Sequence, residues 1–257
     1  MMDLDQSVEV QKGLAERLVS SLRQGGFVLY RQEIMPLGRR GRSRPFQEIL
    51  IRFREEEEKL LPPGTFLPVL QEYHLLPFVD RWVVSQLAKR MALIHSCGEP
   101  VPCCSVNLAA DTLHDPNFAE FTDRHIQHAQ LGRATMSFEV SWDTALDHTA
   151  KLQALAARLR PAGCLFSVAG FDGSKEAFGL VKLLAPDFVK FGYGLVHHCV
   201  RDPADAAFTE MVNRNCHAMG IRTIAEHVES IPVLEQLRQS GVDFAQGLVV
   251  SQPRPLG

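Results

Sequence analysis

The stretch VPCCSVNLAADTLHDPNFAEFTDRHIQHAQLGRATMSFEVSWDTALDHTAKLQALAARLRPAGCLFSVA, residues 101–169, decides the fold. Short apolar runs alternate in it with longer segments whose apolar residues recur at helical spacing. The pattern predicts strand Val101–Leu108, helix Phe118–Gln130, strand Thr135–Ser141, helix Thr144–Leu159 and strand Cys164–Ala169. Upstream, Phe78–Ser96 is a predicted helix. Downstream follow helix Ala177–Leu184, strand Phe188–Phe191, helix Ala204–Met219, strand Arg222–Ala225, helix Ile231–Ser240 and strand Phe244–Gly247. Strands and helices that alternate with short connections imply a parallel sheet, and about eight strands in one unit imply a closed barrel. The expected fold is therefore α/β, a (β/α)8 TIM-like barrel.

Before the alternating region, strands are predicted at Phe27–Gln32 and Phe46–Phe53, joined by the basic, Gly-rich turn GRRGRSRP, residues 38–45. At period two, Glu48, Leu50 and Arg52 share one side of the second strand, with Ile49, Ile51 and Phe53 on the other. A helix is expected over Val8–Gln24, stopped by Gly25-Gly26. With no repeat, linker or low-complexity tract, residues 1–257 read as one domain, with the barrel proper at about 27–255 and the helix in 1–26.

Composition bounds the partners. The 257 residues carry 27 Lys+Arg against 30 Asp+Glu, a formal net charge of -3, and 46% are hydrophobic. This is an ordinary globular chain with no general pull toward a nucleic-acid polymer. No apolar window is long enough for a membrane segment, and the N-terminal MMDLDQ is acidic where a secretory signal is basic, so a cytoplasmic location is expected. The six cysteines lack CxxC spacing and read as reduced thiols.

In a barrel of this kind chemistry sits at the C-terminal ends of the strands. Asn107, Glu139, Lys190, Glu226 and Gln246 lie at or near those ends, and Glu48 and Arg52 lie on the second strand. Amides, carboxylates, a lysine and an arginine are thus expected at one mouth.

The segments that hold these residues resemble, in order, those of the EAL domain family of bacterial cyclic di-GMP phosphodiesterases and their inactive relatives. LYRQEIMPL (29–37) is similar to the opening strand, and EILIR (48–52) to the E-A-L-x-R motif. FLPVLQEYHLLPFVDRWVV (66–84) is similar to the helical segment and VNLAADTL (106–113) to the N-L-S segment. FEVSW (138–142) resembles E-[LI]-[ST]-E, DFVKFG (187–192) K-I-D, IAEHVE (224–229) A-E-G-V-E, and FAQGLVVSQP (244–253) the closing Q-G-Y strand. The resemblance implies hydrolysis of a phosphodiester bond of cyclic di-GMP by water activated on two divalent ions. It implies Glu48, Asn107 and Glu139 as metal ligands and Lys190 and Glu226 as catalytic residues. Gln32, Leu50, Arg52, Asp80 and Gln246 would line the nucleotide cleft.

The same alignment puts Ala169 and Gly170 where the family has two adjacent metal-binding aspartates, Gly192 at the aspartate of K-I-D, Trp142 at a glutamate, and Gln71 at another. Glu48, Glu139 and Glu226 are too few to cage two divalent ions without a bridging carboxylate. No cofactor is therefore expected, and magnesium or manganese only if another group, such as Asp172, rebuilds the site. Asp172 reads instead as a cap for the helix that begins near Ser174.

The expected role is a metal-independent cyclic di-GMP receptor in which Arg52, Gln32 and Gln246 hold the ligand and the bound state passes to a protein partner. One alternative is an adaptor that no longer binds nucleotide. A second is an active phosphodiesterase that produces pGpG. A homodimer is expected from the resemblance alone, and the N-terminal helix is where an upstream sensory or GGDEF-type domain would join. The arginines of residues 39–44 and the run EEEEK, residues 55–59, read as solvated charge. The pairs Cys199 with His197-His198, and Cys216 with His217, lack the convergence of a zinc site, and Trp82 reads as core.

Overall fold

Period-two alternation along the strands sets two layers inside a barrel. Phe46, Cys103, Phe188 and Ile224 are buried together, with Leu165 and Phe244 against them, and form an apolar plug. Its rings pack closely, with Phe46 and Phe188 centroids 5.1 Å apart and Phe46 and Phe244 5.6 Å apart. Two residues further along the same strands come Glu48, Ser105, Ser167, Lys190, Glu226 and Gln246, which stack a polar layer on the plug.

The computed structural model describes residues 13, 15–18, 20–22, 24–38, 44–54 and 60–257. The strands are β1 (Phe27–Glu33), β2 (Met35–Pro36), β3 (Phe46–Arg54), β4 (Leu60–Leu61), β5 (Cys103–Asn107), β6 (Met136–Ser141), β7 (Leu165–Phe171), β8 (Phe188–Phe191), β9 (Arg222–Ala225), β10 (Phe244–Ala245) and β11 (Arg254–Pro255). Their order is β11-β1-β3-β5-β6-β7-β8-β9-β10-β2, and β4 pairs with β3. Only Ile34 separates β1 from β2, so one segment pairs with β3 at its start and with β10 at its end and closes the ring.

That segment runs antiparallel to both neighbours, with Gln32 opposite Glu48 and Met35 opposite Ala245. Strands β3 and β5 to β10 pair in parallel. A short turn can join only antiparallel neighbours, whereas each later strand follows a helical crossover. The fold is a TIM-like barrel whose first strand is reversed.

Helices Leu76–Ser96, Phe118–His128, Lys175–Leu184, Pro203–Ala218 and Ile231–Gln239 lie within a few residues of expectation. Several elements differ, among them an additional short helix at Tyr193–His198. The expected helix over 144–159 is two, Trp142–Asp147 and Thr149–Leu159, broken at His148 (φ -125°, ψ 28°). Ser141 ends β6 and at once caps the first helix by accepting from the Thr144 amide at 3.2 Å, while the Thr149 hydroxyl takes the Ala145 carbonyl left by the break. Strand β7 continues past Ala169 to Phe171, with a register shift against β8 between Val168 and Phe171. Gly170 within it has φ +80°, a conformation that glycine adopts without strain. Helix Pro63–Glu72 forms the first part of the 66–84 segment that resembles the family's helical stretch; Pro63 sits in its first turn, where a missing amide hydrogen costs nothing.

The expected N-terminal helix is helical at the described residues up to Gln24; residues 8–12 lie outside the described residues. Leu18 is fully buried in the main core. Residues 39–43 and 55–59, which hold most of both charge runs, also lie outside them. Among the described residues no helix is long and apolar enough to cross a membrane.

Candidate functional site

Lys190 stands at the centre of the polar layer, held by β8 with no exposure. Its Nζ lies 2.9 Å from Glu48 Oε2 on β3 and 2.8 Å from Glu139 Oε2 on β6. Glu48 also accepts from Asn107 Nδ2 at 2.7 Å on its Oε1 and from Gln246 Nε2 at 2.6 Å on its Oε2. The Ser105 hydroxyl donates to Glu139 Oε2 at 2.9 Å. Gln246 Nε2 donates in addition to Gln32 Oε1 at 3.0 Å, and Gln32 Nε2 to the Ser251 carbonyl at 3.0 Å. One network thus joins β1, β3, β5, β6, β8 and the segment after β10.

Burial and charge oppose each other here. Burial pushes the Lys190 ammonium toward neutrality, but Glu139, Glu48 and Glu226 outweigh it and hold the proton more tightly than in a free lysine. Burial likewise pushes Glu48 up, yet the Lys190 charge and the hydrogen bonds from Gln246, Lys190 and Asn107 bring it below the ordinary carboxylate value. Glu139 is raised to about 7, because burial and the neighbouring Glu48 outweigh the attraction of Lys190. Burial also raises half-buried Glu226, against the pull of Lys190 and His227. The centre is one ammonium among three carboxylates, two of which hold protons more readily than usual.

The remaining expected site residues lie outside this network. Arg52, half-buried, donates from Nη1 to the Ile51 carbonyl at 2.9 Å, with its guanidinium carbon 5.5 Å from the Tyr30 ring centroid. Leu50, Leu67, Gln71, Asp80 and Asn107 line a cleft of about 290 Å³ between β3, β5 and two helices. Asp80 is buried and its Oδ2 accepts from the Ala109 amide at 2.9 Å and the Thr112 hydroxyl at 2.6 Å. It fastens the turn that follows Asn107. Burial raises its pKa to about 7 against those two hydrogen bonds.

Two members of the network escaped the sequence reading. Ser105 could have been found, since it lies two residues before Asn107 on the same face of β5. Ser251, beyond the last barrel strand, gave no such signal. Asp172 is exposed and its Oδ1 accepts from the Ser174 amide at 2.9 Å. Ser174 itself caps the helix through Ala177, so Asp172 braces the cap. His217 pairs with Asp243 at 2.7 Å. Among the described residues no three His, Cys, Asp or Glu side chains are gathered as a cation site.

The relatives fit this frame. The chain is 25% identical over 257 residues to the cyclic di-GMP phosphodiesterase PdeB of Shewanella oneidensis, covering 99% of this chain and 30% of that protein. It is 25% identical over 258 residues to the cyclic di-GMP phosphodiesterase PdeF of Escherichia coli, covering 34% of that protein. The chain spans about a third of the length of these curated relatives. Among solved structures, the FimX EAL domain of Xanthomonas citri, in complex with cyclic di-GMP, superposes with a TM-score of 0.90 at 19% identity over 98% of this chain and 97% of that one. The FimX EAL domain of Pseudomonas aeruginosa bound to cyclic di-GMP gives 0.86 at 24% identity over 93% and 96%. The family profile of the EAL domain matches residues 15–253, and the chain belongs to that family.

Proposed function

We propose that this EAL domain is a non-catalytic receptor for cyclic di-GMP that binds its ligand without metal. The observation that carries the reading is that Ala169 and Gly170 on β7 offer no carboxylate to bridge two ions, while the Lys190 ammonium lies between Glu48 and Glu139 at 2.9 and 2.8 Å. The ammonium supplies the positive charge that these carboxylates would otherwise find in divalent ions. A two-ion cage also needs a bridging carboxylate, and positions 169 and 170 hold alanine and glycine. The side chains present do not fit such a cage.

Several side chains of the barrel suit a bis-phosphate ligand. Arg52, with a planar fork that matches phosphate oxygens, stands on β3 beyond the neutralised centre. Leu50 and Asn107 line the adjoining cleft. Gln32 and Gln246 complete the floor. The related phosphodiesterases and FimX domains supply the ligand class, and the bound state would pass to a protein partner.

The reading is tested by titration of the protein with cyclic di-GMP in parallel with its Arg52→Ala variant. Saturable binding that weakens in the variant supports a receptor. Equal affinity in both removes Arg52 from the site, and no binding in either makes the domain an adaptor that works without nucleotide.

A further inference from the structure

We propose that Arg31, Arg90 and Arg254 form a binding site for a phosphate group on the outer wall of the barrel, where β1 and β11 meet helix Leu76–Ser96. At period two, Phe27, Leu29 and Arg31 share one face of β1. Phe27 and Leu29 pack in the core that also holds Val84, Leu87 and Met91 of the helix, so Arg31 is next in the row that the helix covers. Arg254 is the direct partner of Arg31 across the antiparallel pair of β1 and β11, which puts both side chains on the same face. Leu256, two residues on, packs against the same core. Arg90 approaches from the helix: a Cβ built on Gly257 would lie 3.4 Å from its Nη2.

Three guanidiniums on one wall need a counter-charge. Among the described residues none of the three makes an ion pair, and their one side-chain hydrogen bond runs from Arg31 Nη1 to Gln47 Oε1 at 3.4 Å. Glu33, two residues past Arg31 on β1, is exposed and pairs with none of them. The Nε atoms of Arg31 and Arg90 are buried without an acceptor, so both side chains are held by their stems and partly stripped of water. A lysine could answer burial by losing its proton, but an arginine stays charged. An anion is the remedy that remains.

Charge and geometry select the anion. A carboxylate brings a single charge to three forks, whereas a phosphate monoester brings nearly twice that and about three strong acceptor oxygens. Arg254 is exposed, which leaves the wall open to a ligand from outside. Gln32, next to Arg31 in the chain, points the other way and accepts from Gln246 inside the barrel. The strand thus separates this site from the nucleotide reading, which it does not need.

The test titrates the protein with inorganic phosphate at pH 8 and fixed ionic strength, without nucleotide, and follows backbone amide signals by nuclear magnetic resonance. Acetate is the monoanion control, and N-acetyl-phosphoserine amide carries the same group on a side chain. Saturable shifts at Arg31, Arg90, Arg254 and Gly257 with both phosphates and not with acetate are expected. Tighter binding of the phosphoserine probe assigns the site to a phosphorylated segment of a partner, and tighter binding of inorganic phosphate to the free ion; either order upholds the site. Arg90→Gln and Arg254→Gln, made singly so that a misfolded variant leaves the other, should each weaken phosphate about tenfold. Lys89→Gln, which removes an exposed cation from the same helix, should not. Equal shifts with acetate, no saturable shifts at these residues, full affinity in the arginine variants, or an equal loss in Lys89→Gln would overturn the proposal. Cyclic di-GMP is absent throughout, so a failure here leaves the receptor reading untouched.

Discussion

The Lys190 ammonium and the Glu139 carboxylate form a buried ion pair at 2.8 Å, with side-chain exposures of 0% and 4%. Water screens neither charge, so each depends on the other and on Glu48, Ser105 and Gln246 around them. This pair supplies counter-charge to the acidic residues at the mouth of the barrel.

Removal of the ammonium should therefore be costly. Lys190→Met leaves Glu48 and Glu139 buried without their counter-charge, and the expected loss is ~3–5 kcal/mol, the usual cost of breaking a buried pair from one side. Urea unfolding measures it. The loss should be larger at pH 8 than at pH 5.5, where Glu139 can take up a proton; an equal loss at both would mean that the two carboxylates find other compensation.

Two of the raised carboxylates, Asp80 and Glu139, give the stability curve a definite slope. The folded state lifts Asp80 from an ordinary 3.8 to about 7 and Glu139 from 4.5 to about 7. Between those values the folded protein binds more protons than the unfolded chain, so these groups favour folding least above pH 7 and their burden is relieved as pH falls toward 4. Each pKa unit is worth about 1.4 kcal/mol. Glu48, held low by Lys190 and its amide neighbours, acts in the opposite sense and only at more acid pH, where it must protonate. Asp80→Asn should flatten the slope between pH 4 and 7. A slope unchanged in that variant would place the titration elsewhere.

Asp80 also fastens the turn after β5. In Asp80→Ala the Ala109 amide and the Thr112 hydroxyl lose their acceptor, which should cost about 1–3 kcal/mol for each buried group left unpaired. Hydrogen exchange should then rise at residues 109–112 before it rises in β5. Unchanged exchange there would show that Asp80 does not set the turn.

Thiol reactivity separates exposed from buried cysteines. Burial pushes Cys103, Cys104, Cys164 and Cys216 up to about 12 and Cys199 up to about 11, and the thiolate is the reactive form. Cys97 alone is exposed. A disulfide reagent at neutral pH should modify one thiol quickly and the other five only on unfolding, and several fast thiols would contradict this burial.

Arg52→Ala should weaken cyclic di-GMP by about 1.5–3 kcal/mol, the range for a hydrogen bond to a charged group, or roughly tenfold to more than a hundredfold in Kd. Calorimetry measures it directly.

Much of this was legible in the sequence because barrel strands carry their pattern locally. Lys190 and Gln246 could be assigned to strand ends, and Glu48 to one face of the second strand, from the local pattern, and the structure joins all three. The reversed first strand is already implied by the short turn that joins it to the next. What lay beyond reach depends on contacts between distant segments. Ser251 meets Gln32 across 219 positions, and the cap at Ser141 and the break at His148 show only in the folded backbone. Asp80 shows a different limit: its position in the cleft was readable, but its commitment to the Ala109 amide and Thr112 became visible only once the turn was folded.

The central claim is metal-free binding, and calorimetric titration of the protein with cyclic di-GMP in excess EDTA tests it most directly. The predicted result is saturable one-to-one binding, unchanged when magnesium is restored and without pGpG in the recovered sample. No binding in EDTA, with heat and pGpG appearing on addition of magnesium or manganese, would contradict it.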